Sequence, residues 1–169
     1  MGGLISFLTV IKRPRLFRGL ICMSPGFSSK LKFTVGEYVR MVSARFYNEK
    51  KQFIMPFTSD MCTSDPECKK IMDNDKLEHK FATPRLLQSI LLGQLSSRLL
   101  KHKIKTDTLF LLAGEDTFVS SKASRKIFDG IKFEHKEIIE YPGMRHSMTM
   151  EIGREKVFSD AFKWVEKRI

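Results

Sequence analysis

Apolar residues follow a clear strand and helix rhythm at the two ends of this chain and lose it in between. Residues 4–12, Leu-Ile-Ser-Phe-Leu-Thr-Val-Ile-Lys, are apolar nearly all round. That pattern predicts a helix buried on most sides, with Pro14 ending it. Residues 20–23 form a short apolar run closed by Ser24-Pro25-Gly26, which suits a buried parallel strand and its turn. Residues 108–113 and 136–141 predict two further strands, the second partly alternating. Helices are predicted at 120–130, capped by Ser120 or Ser121 and stopped by Gly130, and at 151–167. In the last helix Val157, Ala161, Trp164 and Val165 make an apolar stripe. Strand and helix alternating in short units imply a parallel sheet with right-handed crossovers.

The stretch between is different in kind. Residues 27–83 mix Phe, Met, Lys and Asp without a regular period. A helix is predicted over 33–47, with Phe33, Tyr38, Met41, Val42 and Phe46 broadly on one side. Another starts at Ser64-Asp65-Pro66-Glu67, where Ser64 or Asp65 caps and Pro66 fits the first turn, and Asp73-Asn74-Asp75 breaks it. Thr83-Pro84 starts a further helix through about residue 92. The expected division is therefore 1–26 and 84–169 as one α/β core, with 27–83 inserted as a helical cap or lid.

Composition narrows the class. With 169 residues, one domain with a real core is expected. No window approaches the roughly 18–20 apolar residues of a membrane span. The first apolar stretch begins almost at Met1, and its basic cluster follows instead of preceding it, unlike a signal peptide. Cys22, Cys62 and Cys68 have no metal-ligand spacing and read as free thiols. The expectation is a soluble, cytoplasmic chain. The formal charge of +11 could mark a nucleic-acid or anionic-membrane surface. The basic residues are scattered, however, and no aromatic interleaving accompanies them, so no specific nucleic-acid partner is expected. Transient contact with a membrane surface stays compatible.

The chemistry is expected at the ends of the last two strands. Open parallel sheets build their sites beyond the carboxyl ends of strands. Gly114-Glu115-Asp116 follows one strand, and Tyr141-Pro142-Gly143-Met144-Arg145-His146 follows the next. A carboxylate beside a histidine fixes the imidazole tautomer and stabilises the imidazolium. Asp116 is the preferred acid, Glu115 its rival, and His146 the histidine. His79, His102 and His135 sit among charges and read as solvated.

These motifs resemble the α/β-hydrolase group of monoacylglycerol lipases, lysophospholipases and the serine aminopeptidase domain. Met1-Gly2-Gly3 matches the end of that group's Gly-His-Ser-Met-Gly-Gly elbow. Leu20 to Pro25 matches its strand ending in Ser-Pro. Thr63-Ser64-Asp65-Pro66-Glu67, Asp75-Lys76-Leu77 and Ala82-Thr83 match its cap. Leu111 to Val119 matches its acid loop, with the Gly-to-Asp spacing one residue shorter than in some members, and Tyr141 to His146 its histidine loop. The resemblance implies the C-terminal part of an α/β-hydrolase fold, with a short, mostly parallel sheet flanked by helices and a helical cap insertion. It implies hydrolysis of small acyl esters, with a lipid-like substrate, Asp116 and His146 as triad members, and no metal or cofactor.

The resemblance also places the nucleophilic serine directly before Met1, whose N–H would be an oxyanion donor. On that reading these 169 residues lack the covalent step and are inactive alone. The strand at 20–23 would then offer an uncovered apolar edge that invites association. Phe33, Met41, Phe53, Met55 and Phe57 are candidates for an acyl pocket, with ordinary packing the competing reading. A non-catalytic binding module, using the basic surface or the strand edge, is the alternative from another class.

Overall fold

Residues 107–113 bury six of their seven side chains, as a strand does when helices cover both faces of its sheet. The computed structural model describes residues 1–168. Its elements run α1 (Gly2–Lys12), β1 (Gly19–Met23), α2 (Val35–Tyr47), β2 (Phe53–Ile54), α3 (Ser59–Cys62), α4 (Pro66–Asn74), β3 (Phe81–Ala82), α5 (Pro84–Leu100), β4 (Asp107–Ala113), α6 (Ser121–Asp129), β5 (Lys136–Tyr141) and α7 (Arg154–Glu166). The main sheet is parallel throughout, in the order β1-β4-β5. Cys22 sits opposite Phe110, and Phe110 opposite Ile138. The fold is the expected α/β architecture of a short parallel sheet flanked by helices.

Two apolar layers sandwich that sheet. On one face, Phe7 and Val10 of α1 and Ile127 and Phe128 of α6 meet Phe110, Leu112 and Phe27. Aromatic rings dominate this layer. Phe110 lies 5.6 Å from Phe27, 5.5 Å from Phe128 and 6.2 Å from Phe7, centroid to centroid. On the other face Val157 and Trp164 of α7 cover Leu109, Leu111 and Tyr141. The cysteines are free, and burial pushes the Cys22 thiol well above its usual range. Among the described residues no helix is long and apolar enough to cross a membrane.

The 27–83 segment holds three helices and one two-residue pairing of β2 with β3, the pairing having no sequence signal. Local chemistry sets its helix starts. Thr34 and Glu37 form a reciprocal capping box on α2. The Asp65 side chain caps α4 by accepting from the N–H of Glu67 and Cys68.

Several boundaries and one face differ from expectation. α5 runs on past Gly93 to Leu100. A side chain at Gly93 would meet Leu4 at 3.3 Å, so this glycine lets α1 approach α5 and does not end the helix. α2 begins at Val35, not 33. α7 begins at Arg154, not 151. On α2 the packed residues are Met41 and Ala44, while Tyr38, Val42 and Phe46 are exposed. At 100° per residue, Val35, Tyr38, Val39, Val42 and Phe46 share the face opposite Ala44. The helix has more apolar surface than its neighbours cover, and its most exposed member, Phe46, keeps 87% of its surface.

Candidate active site

Asp116 lies three residues past β4 and His146 five past β5, on the carboxyl edge of neighbouring parallel strands. The loops that carry them are laced together. The N–H of Gly114 donates to the Tyr141 carbonyl and that of Glu115 to the Met144 carbonyl, each at 3.0 Å. A Cβ on Gly114 would stand 3.0 Å from the Pro142 Cα and the Tyr141 oxygen, so glycine is what lets the two loops touch.

Asp116 is 1% exposed. Its Oδ1 accepts from the N–H of Phe118 and of Val119, both at 2.8 Å. Its Oδ2 lies 2.8 Å from His146 Nδ1. The two backbone donors fix the carboxylate's orientation, so the second oxygen is aimed at the ring. The Lys30 ammonium also donates to the Asp116 carbonyl oxygen at 2.5 Å. Glu115 is exposed and does not reach the histidine. The imidazole stacks at a tilt on Phe118, 4.8 Å away, and keeps a fifth of its side-chain surface open. His79, His102 and His135 are exposed, and among the described residues none of them bonds to Asp116.

Residues from 27–83 hold both loops. The Lys30 N–H donates to the Phe118 carbonyl, and the Ser120 N–H to the Ser28 carbonyl. On the histidine side, the Ser147 N–H donates to the Cys62 carbonyl at 2.8 Å. The Arg145 guanidinium donates to the carbonyls of Asp60 and Thr63. A cleft of about 590 Å³ opens beside the acid loop, with Lys30, Asp60 and Arg145 on its walls. Glu115, Asp116 and Met61 line it as well, and His146 does not.

The N-terminus of α1 lies at the same edge. Gly3 packs against Pro25, and the Met1 nitrogen is 3.9 Å from where a Cβ on Gly26 would stand, just past β1. Burial lowers the pKa of the Met1 ammonium. Of the five pocket candidates, Phe57 reaches the site, 5.2 Å from Phe118. Met55 and Met41 are buried. Phe53 sits under the Lys51 ammonium and Phe33 against Tyr38. Lys30, Phe118 and Glu151 escape the sequence reading. All three act across long sequence separations, which no local pattern records.

A sequence model described as serine aminopeptidase, S33 matches residues 1–153. The chain belongs to that family. No curated protein matches it in sequence. Among solved structures, the monoacylglycerol lipase of Paleococcus ferrophilus aligns with 99% of this chain and 65% of its own, at 19% identity and TM-score 0.90. A soluble variant of the monoglyceride lipase of Saccharomyces cerevisiae, in complex with a substrate analog, aligns over 99% and 62%, at 16% identity and TM-score 0.83. A lipase-esterase related protein of Clostridium acetobutylicum aligns over 99% and 62%, at 14% identity and TM-score 0.59. At these identities the likeness is one of fold. The chain spans 62–65% of the length of these structures. The family is thus that of the serine aminopeptidase, S33, model, and the fold is the α/β-hydrolase fold of these structures.

Proposed function

We propose that this chain supplies the acid and the base of a serine hydrolase that cleaves small acyl esters of the monoacylglycerol or lysophospholipid kind. The observation that carries this reading is the 2.8 Å contact of Asp116 Oδ2 with His146 Nδ1. A serine hydroxyl attacks the ester carbonyl while His146 Nε2 takes its proton. The same proton then passes to the leaving alcohol oxygen, and Asp116 stabilises the imidazolium in between. Water repeats the sequence on the acyl-enzyme. Among the described residues no serine hydroxyl bonds to His146. The nucleophile of the complete enzyme is proposed to be a serine directly preceding Met1, on the turn that α1 continues, with the Met1 N–H as an oxyanion donor. The position of Met1 beside Gly26 supports this. The 27–83 segment serves as the cap, and Phe57 is the pocket candidate nearest the chemistry.

The purified 169 residues are therefore expected to leave a short-chain nitrophenyl ester intact. Turnover that His146→Ala abolishes would overturn the assignment of the nucleophile. Restoration of that turnover by a polypeptide carrying a Gly-His-Ser elbow would support it.

The outward stripe of α2 fits a lipid surface. Val35, Val39, Val42 and Phe46 are exposed on one face, with Lys30 and Lys32 before the helix and Lys50 and Lys51 after it. An apolar face with basic flanks lies in the membrane interface and favours anionic lipid. Sedimentation with vesicles rich in phosphatidylserine is expected, and Phe46→Asp should reduce it. Equal recovery in the supernatant with and without vesicles would remove this part of the proposal. Strong binding combined with no supplementable hydrolysis would favour a non-catalytic module instead. Free thiols suit a reducing compartment such as the cytoplasm. The edge of β1 away from β4 is unpaired among the described residues, and a cleft of about 290 Å³ lined by Ile5, Phe17 and Ile21 runs along it. That edge is the proposed surface for association.

A further inference from the structure

Glu151 has 1% of its surface exposed and forms no ion pair among the described residues. A carboxylate in that position is costly unless hydrogen bonds replace its water. Here they do. Oε1 accepts from the Ser64 N–H at 2.9 Å, from the Ile152 N–H at 3.1 Å and from the Ser64 hydroxyl. Oε2 accepts from the Arg145 N–H at 3.0 Å and lies 3.1 Å from the Ser64 nitrogen. The Thr63 hydroxyl, fully buried, stands 3.3 Å from Oε1 and donates to the Met150 carbonyl at 2.7 Å. Burial pushes the Glu151 carboxyl up, but the bonds from Ser64, Arg145 and Ile152 outweigh it and hold it below the usual range. The group therefore stays charged and acceptor-only, as four donors require.

The placement of those donors matters more than their number. Arg145 is the residue before His146, and Ser64 precedes the helix start at Asp65. We propose that Glu151 is a positioning residue for His146, its buried carboxylate fixing the Arg145 peptide against the Thr63-Ser64 turn and so setting the height of the imidazole over Asp116. The proposal rests on the reading of His146 as the base. Arg154, which pairs with Asp65 at 3.2 Å, and the Ser147-to-Cys62 bond reinforce the same seam from either side. The Ser147 bond holds the peptide that leaves His146, while Glu151 holds the one that enters Arg145, on the other side of His146 in the chain.

Glu151→Gln keeps the volume and one acceptor. With its oxygen in the Oε1 place, the new amide turns a donor toward the Arg145 N–H, donor against donor. The test reads the downfield Nδ1 proton of His146 by NMR in the folded 169-residue chain. That signal is expected in the wild type and expected to be lost in Glu151→Gln at temperatures where near-ultraviolet circular dichroism still shows native packing. Ser64→Ala removes one donor but leaves the Arg145 bond, so it should lower stability and keep the signal. In the complete enzyme Glu151→Gln should lower kcat about a hundredfold with KM unchanged, the scale of a misplacement near 1 Å. A folded Glu151→Gln chain with the signal intact overturns the proposal. Should that variant not fold, hydrogen exchange of the wild type decides. The Arg145 amide is expected to exchange only with global unfolding, and exchange at the rate of an exposed peptide overturns the role. Neither readout depends on ester cleavage. Hydrolysis that survives His146→Ala would remove the catalytic reading while leaving these results in place.

Discussion

Asp116→Asn is expected to lower ester turnover by the complete enzyme about ten-thousandfold, the scale seen when a triad aspartate is made neutral without moving. The geometry explains why so small a change would cost so much. Oδ1 accepts from two backbone N–H groups at 2.8 Å, so the asparagine's oxygen must stay there. Its amide nitrogen is then forced into the Oδ2 place, facing His146 Nδ1. An amide nitrogen donates, so Nδ1 must accept and the ring proton moves to Nε2. That tautomer cannot take a proton from a serine. The fold should be untouched, because the two hydrogen bonds that close the acid loop survive. Steady-state kinetics beside a thermal melt would check both halves. Loss of less than tenfold in kcat, in a protein with unchanged melting, would show that Asp116 is not the orienting acid.

Phe110→Ala is expected to be the most damaging single change to stability. Phe110 is wholly buried at the centre of β4, the middle strand of the sheet. Its ring meets three others. Removing a buried phenylalanine costs about 3–5 kcal/mol through lost transfer energy and the cavity left behind. Aromatic pairs contribute a further ~0.5–1.5 kcal/mol each, not fully additive. A domain with a total stability of about 5–15 kcal/mol has little left after that. The urea midpoint of the 169-residue chain should fall by on the order of 2 M with little change in slope. A shift of a few tenths of a molar would mean that α1 and α6 collapse onto the vacancy, and that the aromatic layer is not the keystone of this face.

Elements whose cause is local were legible in the sequence. β4 and β5 follow from short apolar runs, and α4 from an aspartate ahead of a proline. The acid and histidine could be paired because two consecutive parallel strands must end on one edge, and the structure joins them at 2.8 Å. The errors came where a distant partner decides. Gly93 looks like a helix end until α1 is seen packing on it. Glu151 looks like the first turn of α7, yet its partners Thr63 and Ser64 lie more than eighty residues away. The apolar residues of α2 suggest a packed stripe, but the face that packs belongs to Met41 and Ala44. Periodicity shows that a stripe exists and not which side has a neighbour.

The lacing of both loops to the 27–83 segment bears on how such an enzyme could be re-engineered. Residues 28–30 pair with the acid loop, and residues 60–64 with the histidine loop. Exchanging the whole segment for one from a relative, to alter substrate preference, would also replace the scaffold under Asp116 and His146, the proposed acid and base. A workable graft would splice inside these seams. The exchanged part would begin after Lys30, end before Asp60, and leave the turn at Thr63-Ser64 native.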